Sequence, residues 1–175
     1  MLRFTLHLSC VSQRNEELFQ KLNFYLHKKH YMNTLEKIIE KHIDKPWDWG
    51  PFGLSSNPSI LPEFIEKHIN KPWHYRGLSR NPSVTPEFIE KHIEDEWHWG
   101  SYGLSDNPSI TPEFIEKHIS KPWVWGCYGL SKNPSITPEF IEKHINKPWK
   151  WGFFGLSKNP SITQEFIEKH IDKPW

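Results

Sequence analysis

The sequence is short of cysteine, of uncompensated charge and of long apolar runs, and each shortage removes a class of function. Two cysteines, Cys10 and Cys127, in 175 residues are too few for a disulfide framework or a four-thiolate metal site. Such usage fits a reducing, cytoplasmic setting. Twenty-two Lys and Arg against 21 Asp and Glu leave a formal charge of +1, so no global field draws the chain to nucleic acid or to an anionic membrane. No apolar stretch approaches the roughly 18 residues of a membrane span. Near the N-terminus, Thr5, His7 and Ser9 interrupt what would be the apolar core of a signal peptide. There is no glycine-rich phosphate loop, nucleophile elbow or zinc-protease motif.

What is present is repetition. The stretch from Trp97 to Pro122, WHWGSYGLSDNPSITPEFIEKHISKP, returns with Trp47, Trp73, Trp97, Trp123, Trp149 and Trp175 as first residue, at spacings of 26, 24, 26, 26 and 26. That gives five full copies, preceded by a half copy at 33–46. Periodicity of this size is the signature of a stacked array, because each unit buries its apolar face only against its neighbours. Residues 1–32 match no copy. Leu2, Phe4, Leu6 and Leu8 alternate with polar residues, a pattern that suits a half-buried strand, a disordered arm or a clip on the first repeat. Leu18, Phe19, Leu22, Tyr25 and Leu26 then fall at helical spacing, and the segment reads as a leader with a capping helix.

Within a copy, Thr111 is a helix N-cap, Pro112 suits the first helical position and Glu113 favours the positive end of the helix dipole. Phe114, Ile115, His118 and Ile119 share one face, Glu113 and Lys117 pair on the other, and Pro122 stops a helix of about ten residues. A second, shorter helical or 3-10 turn follows, carrying the tryptophans inward before the Asn133-Pro134 turn. The 24-residue copy lacks two residues in its loop-like part. The expected architecture is therefore all-α: an α-solenoid of stacked short helix pairs, one α-helix and one short α or 3-10 helix per repeat, over residues 33–175.

The run Leu-Ser-x-Asn-Pro-Ser-Ile-Thr-Pro-Glu-Phe-Ile, whole at Leu104 to Ile115 and Leu130 to Ile141, resembles the leucine-rich-variant repeat, whose units alternate α and 3-10 helices. The Trp-x-Trp and Glu-Phe-Ile-Glu-Lys-His elements look still more like the tryptophan-rich repeat arrays of giant DNA viruses of the mimivirus kind. The resemblance implies a solenoid with a binding role, in the host cytoplasm if viral. Some leucine-rich-variant proteins carry an iron–sulfur cluster; two lone cysteines do not supply one. The resemblance carries over no catalytic residue.

Six histidines, His42, His68, His92, His118, His144 and His170, hold one position in successive helices. Packed helices lie ~8 to 10 Å apart, too far for equivalent histidines to share an ion easily, so they read as structural. Their protonation is expected to weaken the stack below about pH 6. The Asn-Pro ladder of Asn57, Asn81, Asn107, Asn133 and Asn159 reads as turn and inter-repeat hydrogen bonding. Paired carboxylates such as Glu113 and Glu116 recur in every copy, which an active site has no reason to do, so no enzyme, cofactor or metal is expected.

The copies differ mainly in three rows: Asp48, His74, His98, Val124 and Lys150; Ser56, Arg80, Asp106, Lys132 and Lys158; and Asn70, Glu94, Ser120, Asn146 and Asp172. From these, Arg80, Lys132, Lys150, Lys158, His98 and Val124 form the candidate partner-binding surface. The leading expectation is a non-enzymatic scaffold for a protein partner. The alternative is nucleic-acid binding, with Tyr102, Tyr128 and Phe154 as stacking platforms beside the basic row. Tryptophan-lined carbohydrate sites would require exposed tryptophans. The array stops at Trp175 where another copy would begin, which suggests end-to-end self-association through an uncapped repeat, a truncated array or an unstable last repeat.

Overall fold

A computed structural model describes residues 34–175; the leader readings fall outside that range. The chain divides between Lys45 and Pro46 into two units. In the described part of the first, residues 34–41 are helical and Ile39 is fully buried. The second, Pro46–Trp175, is an all-α, solenoid-like array with no strand among the described residues. It alternates 3-10 turns at Leu54–Ser56, Leu104–Asp106, Leu130–Lys132 and Leu156–Lys158 with helices at Pro62–Lys67, Pro86–Lys91, Pro112–Lys117, Pro138–Lys143 and Gln164–Lys169; the 24-residue copy carries a helix at Tyr75–Arg80 instead of a 3-10 turn.

Local chemistry starts each helix. The hydroxyls of Thr85, Thr111, Thr137 and Thr163 accept from the backbone N–H of Phe88, Phe114, Phe140 and Phe166 at 3.2–3.4 Å. Backbone amide and Thr111 hydroxyl together hold the Glu113 carboxyl below its usual range. The helices are shorter than expected, six residues rather than about ten, because His118 leaves helical geometry at φ −114°, ψ 33°. Its carbonyl then accepts two donors, the Lys121 amide at 2.9 Å and the Trp123 indole Nε1 at 2.8 Å. The same indole bond closes the other copies at Trp73, Trp97, Trp149 and Trp175. Past that break the apolar face is no longer helical, so Ile119, expected in the core, is 40% exposed. The first tryptophan of each copy is on the non-helical segment, not on the 3-10 turn.

Three side chains of the Leu-Ser-x-Asn-Pro-Ser run join each repeat to the one before it. The Asn81, Asn107, Asn133 and Asn159 amides are buried, and each Nδ2 donates to the carbonyl of the preceding ladder Asn at 2.9–3.0 Å. Each Oδ1 accepts from the serine amide two residues on, at 2.9 Å, which makes the turn. That serine's hydroxyl donates to the proline carbonyl of the preceding turn, as Ser135 does to Pro108 at 2.5 Å and Ser109 does to Pro82. The serine after the leucine works in both directions: Ser105 donates to Trp99 O at 2.5 Å and accepts from the Val124 amide at 3.0 Å. Around this spine lie Ile60, Val84, Ile110 and Ile136, all fully buried.

The aromatic core is equally regular. Trp99, Trp125 and Trp151 stack within 6° of parallel on Phe114, Phe140 and Phe166, and meet the next tryptophan edge-on at 5.1–5.2 Å. Lys121, Lys147 and Lys173 cover their outer faces. Trp73, Trp97, Trp99, Trp123, Trp125 and Trp149 are buried, which removes the condition for tryptophan-lined carbohydrate sites at those positions. The shortened copy swaps this pair as a unit. Tyr75 stands for the second tryptophan and Asp95 for the lysine, so a hydrogen bond from Tyr75 Oη to Asp95 Oδ2 at 2.7 Å replaces the cation–π contact.

The expected pair of Glu113 with Lys117 inside one helix does not form; Lys117 reaches across to Glu90 of the preceding repeat at 2.9 Å. The same carboxylate accepts from His118 Nε2 at 2.7 Å, and Glu116 and Glu142 hold Lys143 with His144 and Lys169 with His170 in the same way. The histidines therefore face carboxylates, not one another.

Two predictions follow from the contacts between repeats. Asn133→Ala removes one of the two donors to the Asn107 carbonyl, which keeps the Ile110 amide, and takes the side-chain partner from the Ser105 carbonyl and the Ser135 amide; it is expected to cost about 1–3 kcal/mol in urea denaturation, and a loss under about 1 kcal/mol would remove the ladder as the main tie. Hydrogen bonds from Lys117 and then His118 hold the Glu90 carboxyl below its usual range, and Glu116 and Glu142 are held alike. With the native pKa below the unfolded one, their small contribution is complete above the ordinary carboxylate range and is lost as pH falls through the native value. Melting temperature is thus expected to hold between pH 7.5 and 5.5 and to fall below about pH 4.5. A Glu90→Gln, Glu116→Gln, Glu142→Gln variant should flatten the acid fall; an unchanged slope would count against the clamp.

Candidate interaction surface

Between its two tryptophans and the 3-10 turn each 26-residue copy folds a tight loop. In one of them the Leu104 amide donates to His98 O at 2.8 Å and the Gly103 amide to Gly100 O at 3.1 Å. The carbonyl of His98 comes so close that a Cβ on Gly103 would sit 2.0 Å from it. In two of these loops the residue before the second glycine is left-handed, Tyr102 at φ 55° and Tyr128 at φ 59°; the loops of Phe52 and Phe154 close with the same bonds without it. For a bulky L residue that conformation costs about 1–2 kcal/mol.

The outward rings form a continuous row. Tyr102 stacks on Tyr128 with centroids 5.1 Å apart, and Tyr128 stacks on Phe154 at 5.8 Å. Arg80, from the repeat before, lies over Tyr102 at 5.7 Å. At the other end Phe153 meets Phe154 edge-on at 4.5 Å, and the Lys158 ammonium stands 4.2 Å from the Phe153 centroid. Lys132 lies over Tyr128 at 5.4 Å and pairs with Asp106 at 3.3 Å. Phe153 is 66% exposed, Phe154 44% and Tyr102 38%.

Of the residues expected to form the surface, Arg80, Lys132 and Lys158 are thus brought onto one row. His98, Val124 and Lys150 are not. His98 turns back into its own loop, with Nε2 2.9 Å from Ser101 O, and Val124 is half-buried with a methyl against the glycine of its own loop. Lys150 is exposed but has no recorded contact with the aromatic row. Asn70, Glu94, Ser120, Asn146 and Asp172 are all exposed, on the side where the α-helices end. Sequence reasoning missed Phe153, and it missed that Tyr102 and Tyr128 stand on left-handed backbone. The signal was an aromatic directly before glycine in four loops, at Phe52, Tyr102, Tyr128 and Phe154.

Comparison with protein families, with curated proteins and with solved structures returns no match. No helix among the described residues is long and apolar enough to cross a membrane.

Gly103→Ala is expected to destabilise the chain by about 1–3 kcal/mol and to weaken the near-ultraviolet circular dichroism of the tyrosine stack. At Gly100 a Cβ would meet Val124 Cγ2 at 3.7 Å and the His98 ring at 3.8–3.9 Å, ordinary contacts, so Gly100→Ala serves as the control, within about 0.5 kcal/mol of the parent. Equal effects from the two would contradict the loop geometry.

Proposed function

We propose that the chain is a non-enzymatic repeat scaffold that binds another protein through the row from Arg80 to Phe154. The observation that carries this reading is a row of stacked aromatic rings at the surface, two of which, Tyr102 and Tyr128, stand on left-handed backbone. Strain of this kind gathers at functional positions, and exposed aromatic groups beside arginine have the composition of interface anchors. The recurring carboxylates support the non-enzymatic half of the proposal, since Glu113 serves its helix start and Glu90, Glu116 and Glu142 hold neighbouring repeats together. Kinship with the leucine-rich-variant and tryptophan-rich arrays, and a cytoplasmic setting, belong to the same proposal; alternation of α and 3-10 helices supports the first. Nucleic-acid binding has less support. The Tyr128 ring already has a stacked neighbour from the repeat on either side, which leaves no gap for a base.

Affinity capture tests the reading, comparing the parent with a Tyr102→Ser, Tyr128→Ser, Phe154→Ser variant of unchanged melting behaviour. A protein that resists nuclease and is lost with the variant is the expected result. Capture that survives the three substitutions, or that vanishes with nuclease, would overturn it.

A further inference from the structure

We infer that the row recognises an acidic, extended peptide segment whose carboxylates lie about six residues apart, with small or apolar residues between them. This rests on the protein-binding reading and specifies the partner's chemistry. The row offers outward two tyrosine hydroxyls, the edges of stacked rings and two cations. The faces of the rings are engaged in stacking and cation contacts, so a ligand meets their edges, where the quadrupole is positive. The hydroxyls of Tyr102 and Tyr128 have no hydrogen-bond partner among the described residues and are free to donate. Arg80 and Lys158, one at each end, lie on rings and pair with no carboxylate among the described residues. Asp106 neutralises Lys132 in the middle.

That distribution selects among anions. A phosphate backbone carries charge at every nucleotide and is best met by an unbroken cationic track. Here two open cations flank an apolar centre in which the third is already paired. The centre suits uncharged side chains and the ends suit carboxylates. From Arg80 to Lys158 the contacts run through three stacked rings, with steps of 5.7, 5.1, 5.8 and 5.5 Å. At ~3.3 Å per residue an extended chain of about six residues covers that distance. The guanidinium over Tyr102 is already oriented by the ring, so a carboxylate gains a charge-assisted pair there at little ordering cost.

The test is selection of a displayed library of random twelve-residue peptides on the full chain, followed by titration of the selected peptides against the parent and against R80E/K158E. Both positions are exposed, and an unchanged melting temperature checks the variant. The expected peptides carry two Asp or Glu residues about five to seven positions apart around apolar residues, bind R80E/K158E at least about tenfold more weakly, and lose affinity as salt rises. Selected peptides without acidic enrichment, equal binding to the charge-reversed chain, failure to select any peptide, or displacement by a twelve-nucleotide oligothymidylate at lower concentration than by free peptide would each overturn the inference. Capture from cells separates it from the reading beneath it. A protein partner lost with the neutral ring substitutions but retained by R80E/K158E leaves the scaffold standing and removes the acidic partner; one retained by both removes both.

Discussion

The buried amide of the ladder asparagine is the contact on which the array depends. Its two ends do different jobs: Oδ1 shapes the turn within a repeat, and Nδ2 ties that turn to the carbonyl of the turn before. That carbonyl also accepts from the amide three residues on, as Asn107 O does from Ile110 N at 3.1 Å, so the side-chain amide fills its second acceptor position inside the stack. Because the donor reaches the same atom in the neighbouring copy, one repeat stacks on the next in a single register. The serine hydroxyls on either side extend the tie, and the isoleucines, leucines and tryptophans pack around a spine whose spacing is already set.

Within that frame the short copy changes its aromatic core as a matched pair. Where Tyr75 replaces a tryptophan, Asp95 replaces the lysine that would have covered it, and burial with the nearby carboxylate pushes the Tyr75 hydroxyl pKa well up, so the phenol remains a donor. The two-residue deletion beside it pulls the loop into a helix so close to its neighbour that a Cβ on Gly77 would fall 2.6 Å from the Ser55 Cβ. The short copy is thus a repacked unit, and the repeats on both sides keep their contacts through His74 and His98, whose amides donate to Ser55 and Ser79.

What was legible in the sequence was what is decided locally or by strict recurrence. Thr111 and Pro112 begin a helix for reasons contained in a few residues, and Asn before Pro at every turn announces both the turn and the ladder. What was not legible was decided by partners one repeat away. The helix ends at Lys117 because the His118 carbonyl is drawn to the Trp123 indole, and Lys117 leaves Glu113 for Glu90. Neither competitor stands within helical spacing of the residue it captures. The surface divided in the same way. Arg80, Lys132 and Lys158 follow the 3-10 edge outward, whereas His98 and Val124 vary between copies yet fold into their own loops. Variation marked tolerance at both positions and exposure at only one.

The short copy also sets where the aromatic row begins. Its deletion removes the loop tip that elsewhere carries the outward ring, so Phe52, 83% exposed, is cut off from Tyr102, and Arg80 occupies the end of the stack in the missing ring's place. A stack of identical loops would run on with each ring covered by the next and no defined end. Interruption gives the row a defined head at Arg80, and Lys158 lies over the last described ring. A uniform spine can carry a position-specific surface for this reason: the spine uses backbone-directed bonds that every copy repeats, while the loop edge, free of that duty, differs from copy to copy in the groups that meet solvent.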